Sequence, residues 1–150
     1  MIQRIQSIYL LLVVILMAIT AFSPLLVLNM NGVDLTMFSC GIFEGENIVK
    51  NVYGVISVAG LSAFVALVDI FLFNNRKLQL KISYLTTFLL LFFYVTVFAY
   101  FYAFTQANGS EFSEVCYGIV SPIIALIFNT LASRKIKSDE KLVRSLDRIR

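Results

Sequence analysis

Residues 82–104 read ISYLTTFLLLFFYVTVFAYFYAF, and no charged side chain falls between Lys81 and Glu111. At helical rise such a stretch crosses the hydrocarbon core of a bilayer, about 30 Å thick, which takes roughly 20 apolar residues. Working outward, three more stretches have the same character: residues 5–23, 52–73 and 115–133. With 59 % hydrophobic and 14 % charged residues in a chain of 150, little sequence is left to fold in water. The expectation is an all-α membrane protein. A four-helix transmembrane bundle occupies residues 1–133, and a cytoplasmic basic amphipathic tail follows over residues 134–150.

Charge sets the orientation. Four spans place every Lys and Arg on one side of the membrane except Lys50. Arg4, then Arg76, Lys77 and Lys81, then the C-terminal tail share that side, against Asp34, Glu44, Glu46, Glu111 and Glu114 on the other. Lys and Arg concentrate in cytoplasmic loops, so both termini are predicted in the cytoplasm. Tyr9 and Tyr84 mark the inner interface, and Tyr53, Tyr100, Tyr102 and Tyr117 the outer one. The net charge of +3 therefore reports topology and attraction to anionic headgroups. Nucleic acid is not an expected partner, since the basic residues flank spans and form no binding motif. No small-x-small cleavage pattern follows the first apolar run, which predicts an uncleaved first helix.

Between the first two spans, Pro24 stops the helix and a β-hairpin is predicted over about residues 25–39. Its signal is Asn31-Gly32, the residue pair of a type I′ turn, between apolar β-prone flanks. Gly41 and Gly45 read as breaks before the second span. Asn108-Gly109-Ser110 reads as the turn after the third span, with Ser113 as N-cap of the fourth helix and Glu114 at its positive end.

Few polar residues carry chemical potential. Asp69 is the one ionisable residue inside a span, about one turn from the inner end of the second. Such a group is a functional candidate by default, and the expectation here is a structural polar contact with Asn129 or Arg76. Ala59, Ala63 and Ala66 form a small-residue stripe suited to close helix contact, within the bundle or between copies in a homo-oligomer. Cys40 and Cys116 fall on the outer side, where a disulfide is permitted; two free thiols are the other possibility. A thiol oxidoreductase normally wants a Cys-x-x-Cys pair, which the chain lacks. Histidine is absent, and with it the commonest metal ligand and general base. No catalytic residue, metal or cofactor is expected. The tail is different: Leu142, Val143, Leu146 and Ile149 form an apolar stripe at helical spacing, with Arg144, Arg148 and Arg150 beside it. A short helix of this kind needs a surface to cover its stripe.

The two ends, MIQRIQSIYLLL at residues 1–12 and KSDEKLVRSLDRIR at residues 137–150, resemble a family of uncharacterised four-helix inner-membrane proteins of Bacteroidota, domain of unknown function 4293. The resemblance covers the whole chain and implies four spans in a bacterial cytoplasmic membrane. It implies no activity. The function expected from the residues is non-enzymatic: a structural or partner-docking subunit acting through the tail, on a protein or on the lipid surface. A small transporter or channel subunit using Asp69 and Asn129 is the alternative, and thiol chemistry at Cys40 and Cys116 the third.

Overall fold

A computed structural model describes the backbone of residues 3–73 and 75–147, and the side chains of residues 5–73 and 75–142. The order is α1 (Gln3–Phe22), β1 (Pro24–Met30), β2 (Val33–Phe38), β3 (Gly41–Glu44), β4 (Asn47–Asn51), α2 (Tyr53–Phe71), α3 (Arg76–Asn108), β5 (Glu111–Val115) and α4 (Tyr117–Asp147). The four helices are long and apolar enough to cross a membrane. Each turns large apolar side chains outward, such as Ile8 and Ile19 on α1, Phe64 on α2, Phe98 on α3 and Ile127 on α4. A protein in water does not expose that much contiguous apolar surface. α1 packs on α2 and α4, and α3 packs on the same two neighbours.

The all-α expectation is overturned. A five-stranded antiparallel sheet, in the order β4-β3-β2-β1-β5, lies where α1 ends and α2 and α4 begin. The predicted hairpin forms its centre: β1 pairs with β2 from Pro24↔Phe38 to Met30↔Val33. Asn31 at φ 54 and Gly32 at φ 84 supply the two positive-φ positions of its turn. The second hairpin, β3 with β4, was hidden by its glycines. Gly45, read as a break, is the turn itself at φ 59, and Gly41 starts a strand in close contact with the Lys50 carbonyl. Ser113 caps no helix: residues 111–115 pair with β1, from Leu26↔Val115 to Asn29↔Glu111, and α4 begins at Tyr117. Both edge strands are exposed at every position, so neither carries the alternation that reveals a strand. The buried side of the sheet comes from its middle, where Leu25, Leu28, Leu35, Met37 and Ile42 are fully enclosed.

Backbone chemistry explains the joints. Pro24 ends α1 and starts β1 without a loop. The Cys116 amide donates to the Leu25 carbonyl at 3.0 Å, and the Val52 amide to that of Cys40, also at 3.0 Å. α4 and α2 are thereby tied to the sheet at their first turns. Pro122 lies inside α4 and cannot donate to the Gly118 carbonyl; the Ser121 hydroxyl reaches that oxygen instead at 3.0 Å. Asn75 caps α3 by accepting from the Leu78 amide at 3.3 Å, and Gly109 closes it in the left-handed conformation at φ 64. With 33 residues α3 is about 50 Å long. Its last turns stand beside the sheet, where Phe101 meets Phe112 edge-on and Lys50 lies 5.8 Å from the centre of the Phe104 ring.

Gly118 is where α4 passes closest to β1. A Cβ there would overlap the Pro24 carbonyl oxygen and come within 2.9 Å of the Ser23 Cβ, whereas one at Gly60 meets nothing within 4 Å. Gly118→Ala should therefore lower the melting temperature in detergent sharply or prevent recovery of folded protein. Gly60→Ala should leave it unchanged or raise it, by about 1 kcal/mol at most.

Candidate functional site: a polar layer at the basic end

At the end opposite the sheet, each helix contributes polar side chains to one layer. Gln6 on α1 donates from Nε2 to the Asp139 Oδ2 on α4. Arg76 at the start of α3 donates to the Asp139 carbonyl at 3.0 Å, and Gln79 donates from Nε2 to the Asp69 carbonyl at 3.2 Å. A turn further in, Asn129 clasps α3: its Nδ2 donates to the Ser83 carbonyl at 2.9 Å and to the Thr87 Oγ1 at 2.8 Å. Ser83 and Ser133 hydroxyls meet at 2.6 Å, and Ser133 can donate onward to the Asn129 carbonyl at 2.9 Å. Between helices surrounded by lipid there is no hydrophobic drive to associate, so bonds of this kind and close packing hold the pairs together.

Asp69 is fully buried, and its two carboxyl oxygens have no hydrogen-bond partner among the described residues. The structure does not bring it together with either expected partner: Arg76 has turned to Asp139, and both donors of Asn129 are committed to α3. Asn129 is thus a structural clasp, while Asp69 is a buried polar group that no described residue satisfies, a costly arrangement. Ala59 and Ala66 are buried inside the same chain with Asp69 on one stripe of α2, so the small residues serve packing within the protein.

The remaining expected residues stand apart. Cys40 and Cys116 are both free, and no disulfide joins them. They leave β2 and β5, on opposite sides of β1. Two strand spacings of about 4.8 Å exceed the Cα separation of roughly 4.4–6.8 Å that a bridge needs. Burial, with Glu114 adding, pushes the Cys116 thiol up, which depletes the reactive thiolate. Leu142 is exposed; the side chains of Val143, Arg144 and Leu146, and the whole of Arg148, Ile149 and Arg150, lie outside the described residues.

Gln6, Gln79, Ser83, Thr87, Ser133 and Asp139 are the members of the layer that the sequence reading did not single out. One signal was available. Ala125, Asn129, Ala132, Ile136 and Asp139 recur at helical spacing and are all buried, so the packed face of α4 runs on through the start of the supposed tail. The charged neighbours of Asp139 in the sequence, Lys137, Glu140 and Lys141, give its stretch the composition of a solvated surface.

With this geometry in view, the sequence matches the family described as Domain of unknown function (DUF4293) over residues 2–149. The chain belongs to that family. No curated protein matches it. Membership thus brings no activity to the site, and the polar layer has to be judged on its own chemistry.

Two substitutions separate its members. Asn129→Ala removes its two donated interhelical bonds and the longer one that its Oδ1 accepts from the Ser83 hydroxyl at 3.4 Å, and should cost about 1–2 kcal/mol in unfolding from detergent. Asp69→Leu strands no partner and should preserve or raise stability, by about 1 kcal/mol or more. Melting curves of the two variants beside the parent check both signs.

Proposed function

We propose that this is a non-enzymatic inner-membrane protein of a bacterium, with both termini in the cytoplasm, that docks a cytoplasmic protein partner through the end of α4. The observation that carries the reading is the unbroken helix: α4 continues to Asp147, beyond Asp139, the last buried residue among those described. About two turns of helix thus extend past the packed layer. Lys141 and Leu142 begin it on the exposed side, and the sequence continues the apolar stripe with Leu146 and Ile149. A helix in groove is read through anchors at this spacing.

Pull-down from mild detergent should recover a partner with the full chain, and not with a chain ending at Glu140, which keeps Ile136 and Asp139 in place. Leu146→Asp should also lose it. Recovery of the same partner by the shortened chain would overturn the reading. Orientation has its own check: reporter fusions after Lys50, Arg76, Asn108 and Arg150 should report outside, inside, outside and inside in turn, and an outside signal at Arg150 would reverse it.

A second reading is favoured by one observation, the buried carboxyl of Asp69 without a partner. A small transporter or channel subunit would have reason to keep such a group. Under that reading Asp69→Asn abolishes a proton- or cation-coupled flux in vesicles while expression and melting stay normal. Under the docking reading the same variant is silent.

A further inference from the structure

On the lipid-facing side of the α3–α4 pair, beside the Asn129 clasp, lies a groove of about 300 Å³ lined by Tyr84 and Thr87 of α3 and Thr130, Ser133, Arg134 and Lys137 of α4. We propose that it binds the phosphate headgroup of an anionic membrane lipid. The hydroxyls of its floor are already engaged: Thr87 donates to the Ser83 carbonyl at 3.1 Å, Thr130 to that of Ile127 at 2.8 Å, and Ser133 is held between Ser83 and Asn129. The groups at the rim are not. Tyr84, Arg134 and Lys137 are exposed, and none of them has a hydrogen-bond or ion-pair partner among the described residues. Three donors, two of them cationic, thus converge on one hollow that contains no acidic side chain. That is the chemistry of a phosphodiester site.

Its depth fits a lipid better than a soluble anion. Lys81 on α3 and Arg134 on α4 are the last charges before the uncharged length of each span. The groove therefore straddles the boundary where headgroups lie. Below it, Phe88 and Leu91 on α3 and Ile127 on α4 are exposed and continue the same seam toward the membrane interior, a track for an acyl chain. The site does not involve the end of α4, so its failure and that of the docking reading are separable.

The chain has no tryptophan, so Phe88→Trp gives a single fluorescent reporter one turn from Tyr84. The full-length reporter chain is placed in phosphatidylcholine vesicles carrying either brominated phosphatidylglycerol or brominated phosphatidylcholine, and quenching is titrated. The anionic lipid should be preferred by about fivefold or more. Arg134→Gln with Lys137→Gln should remove the preference, and each single change should reduce it. Lys135→Gln with Lys141→Gln, an equal loss of charge away from the groove, should retain it. Equal quenching by the two lipids overturns the proposal, as does an equal loss in the Lys135 and Lys141 variant, which would mean diffuse attraction. Inorganic phosphate should compete no better than chloride at matched ionic strength; stronger competition would assign the groove to a soluble phosphate and overturn the lipid assignment.

Discussion

The close approach of α4 to the start of β1 is the contact on which the rest of the architecture depends. Gly118 lies against the Pro24 carbonyl, and the next carbonyl, Leu25, receives the Cys116 amide. At this one joint the first helix ends, the first strand begins, the last strand finishes and the last helix starts. The Thr20 and Ser121 hydroxyls meet at 2.6 Å just beneath it, and Ser39 from the end of β2 donates to the Thr20 carbonyl at 3.0 Å. A side chain at position 118 would pry apart sheet and helices together. Glycine is required there for space, not for an unusual φ.

Between the joint and the basic-end polar layer the helices meet mostly through apolar side chains, including Val13, Met17, Leu90 and Phe93. The protein is thus pinned near both ends by polar contacts and filled between them by dispersion. This suits helices surrounded by lipid, where apolar contact alone gives little preference for one neighbour over another. It also explains why the polar residues inside the spans are mostly satisfied, and why Asp69, which is not, stands out.

Much of this was legible in the residues and some was not. The four long apolar helices follow from length and apolar content, and the first hairpin from Asn31-Gly32, because both signals are local. The other three strands failed to show for different reasons. In β3–β4 the glycines that looked like breaks are a turn and a close approach, and a Gly symbol does not distinguish these from a loop. β5 is exposed on both faces and acquires strand geometry only by pairing with β1, a partner some eighty residues away along the chain. In the site, Asp69 and Asn129 were noticed for their polarity, but their partners were not deducible, since neighbouring helices offer several polar groups at similar depth. Asp139 carries no such signal, since Lys135 and Glu140 surround it with charge.

The position of β5 in that order has a consequence for biogenesis. Four strands precede α2 in the chain, but the fifth emerges only after α3. On the side where the sheet lies, the nascent protein holds an incomplete sheet with one long edge of β1 open until two further spans have crossed. The final pairing then joins segments brought together only if both intervening helices have inserted, each in its proper sense. A span that failed to insert would leave β5 in the opposite compartment and β1 unsealed. Sheet closure is thereby coupled to the placement of both intervening helices, and a chain in which one is misplaced keeps the edge of β1 unpaired.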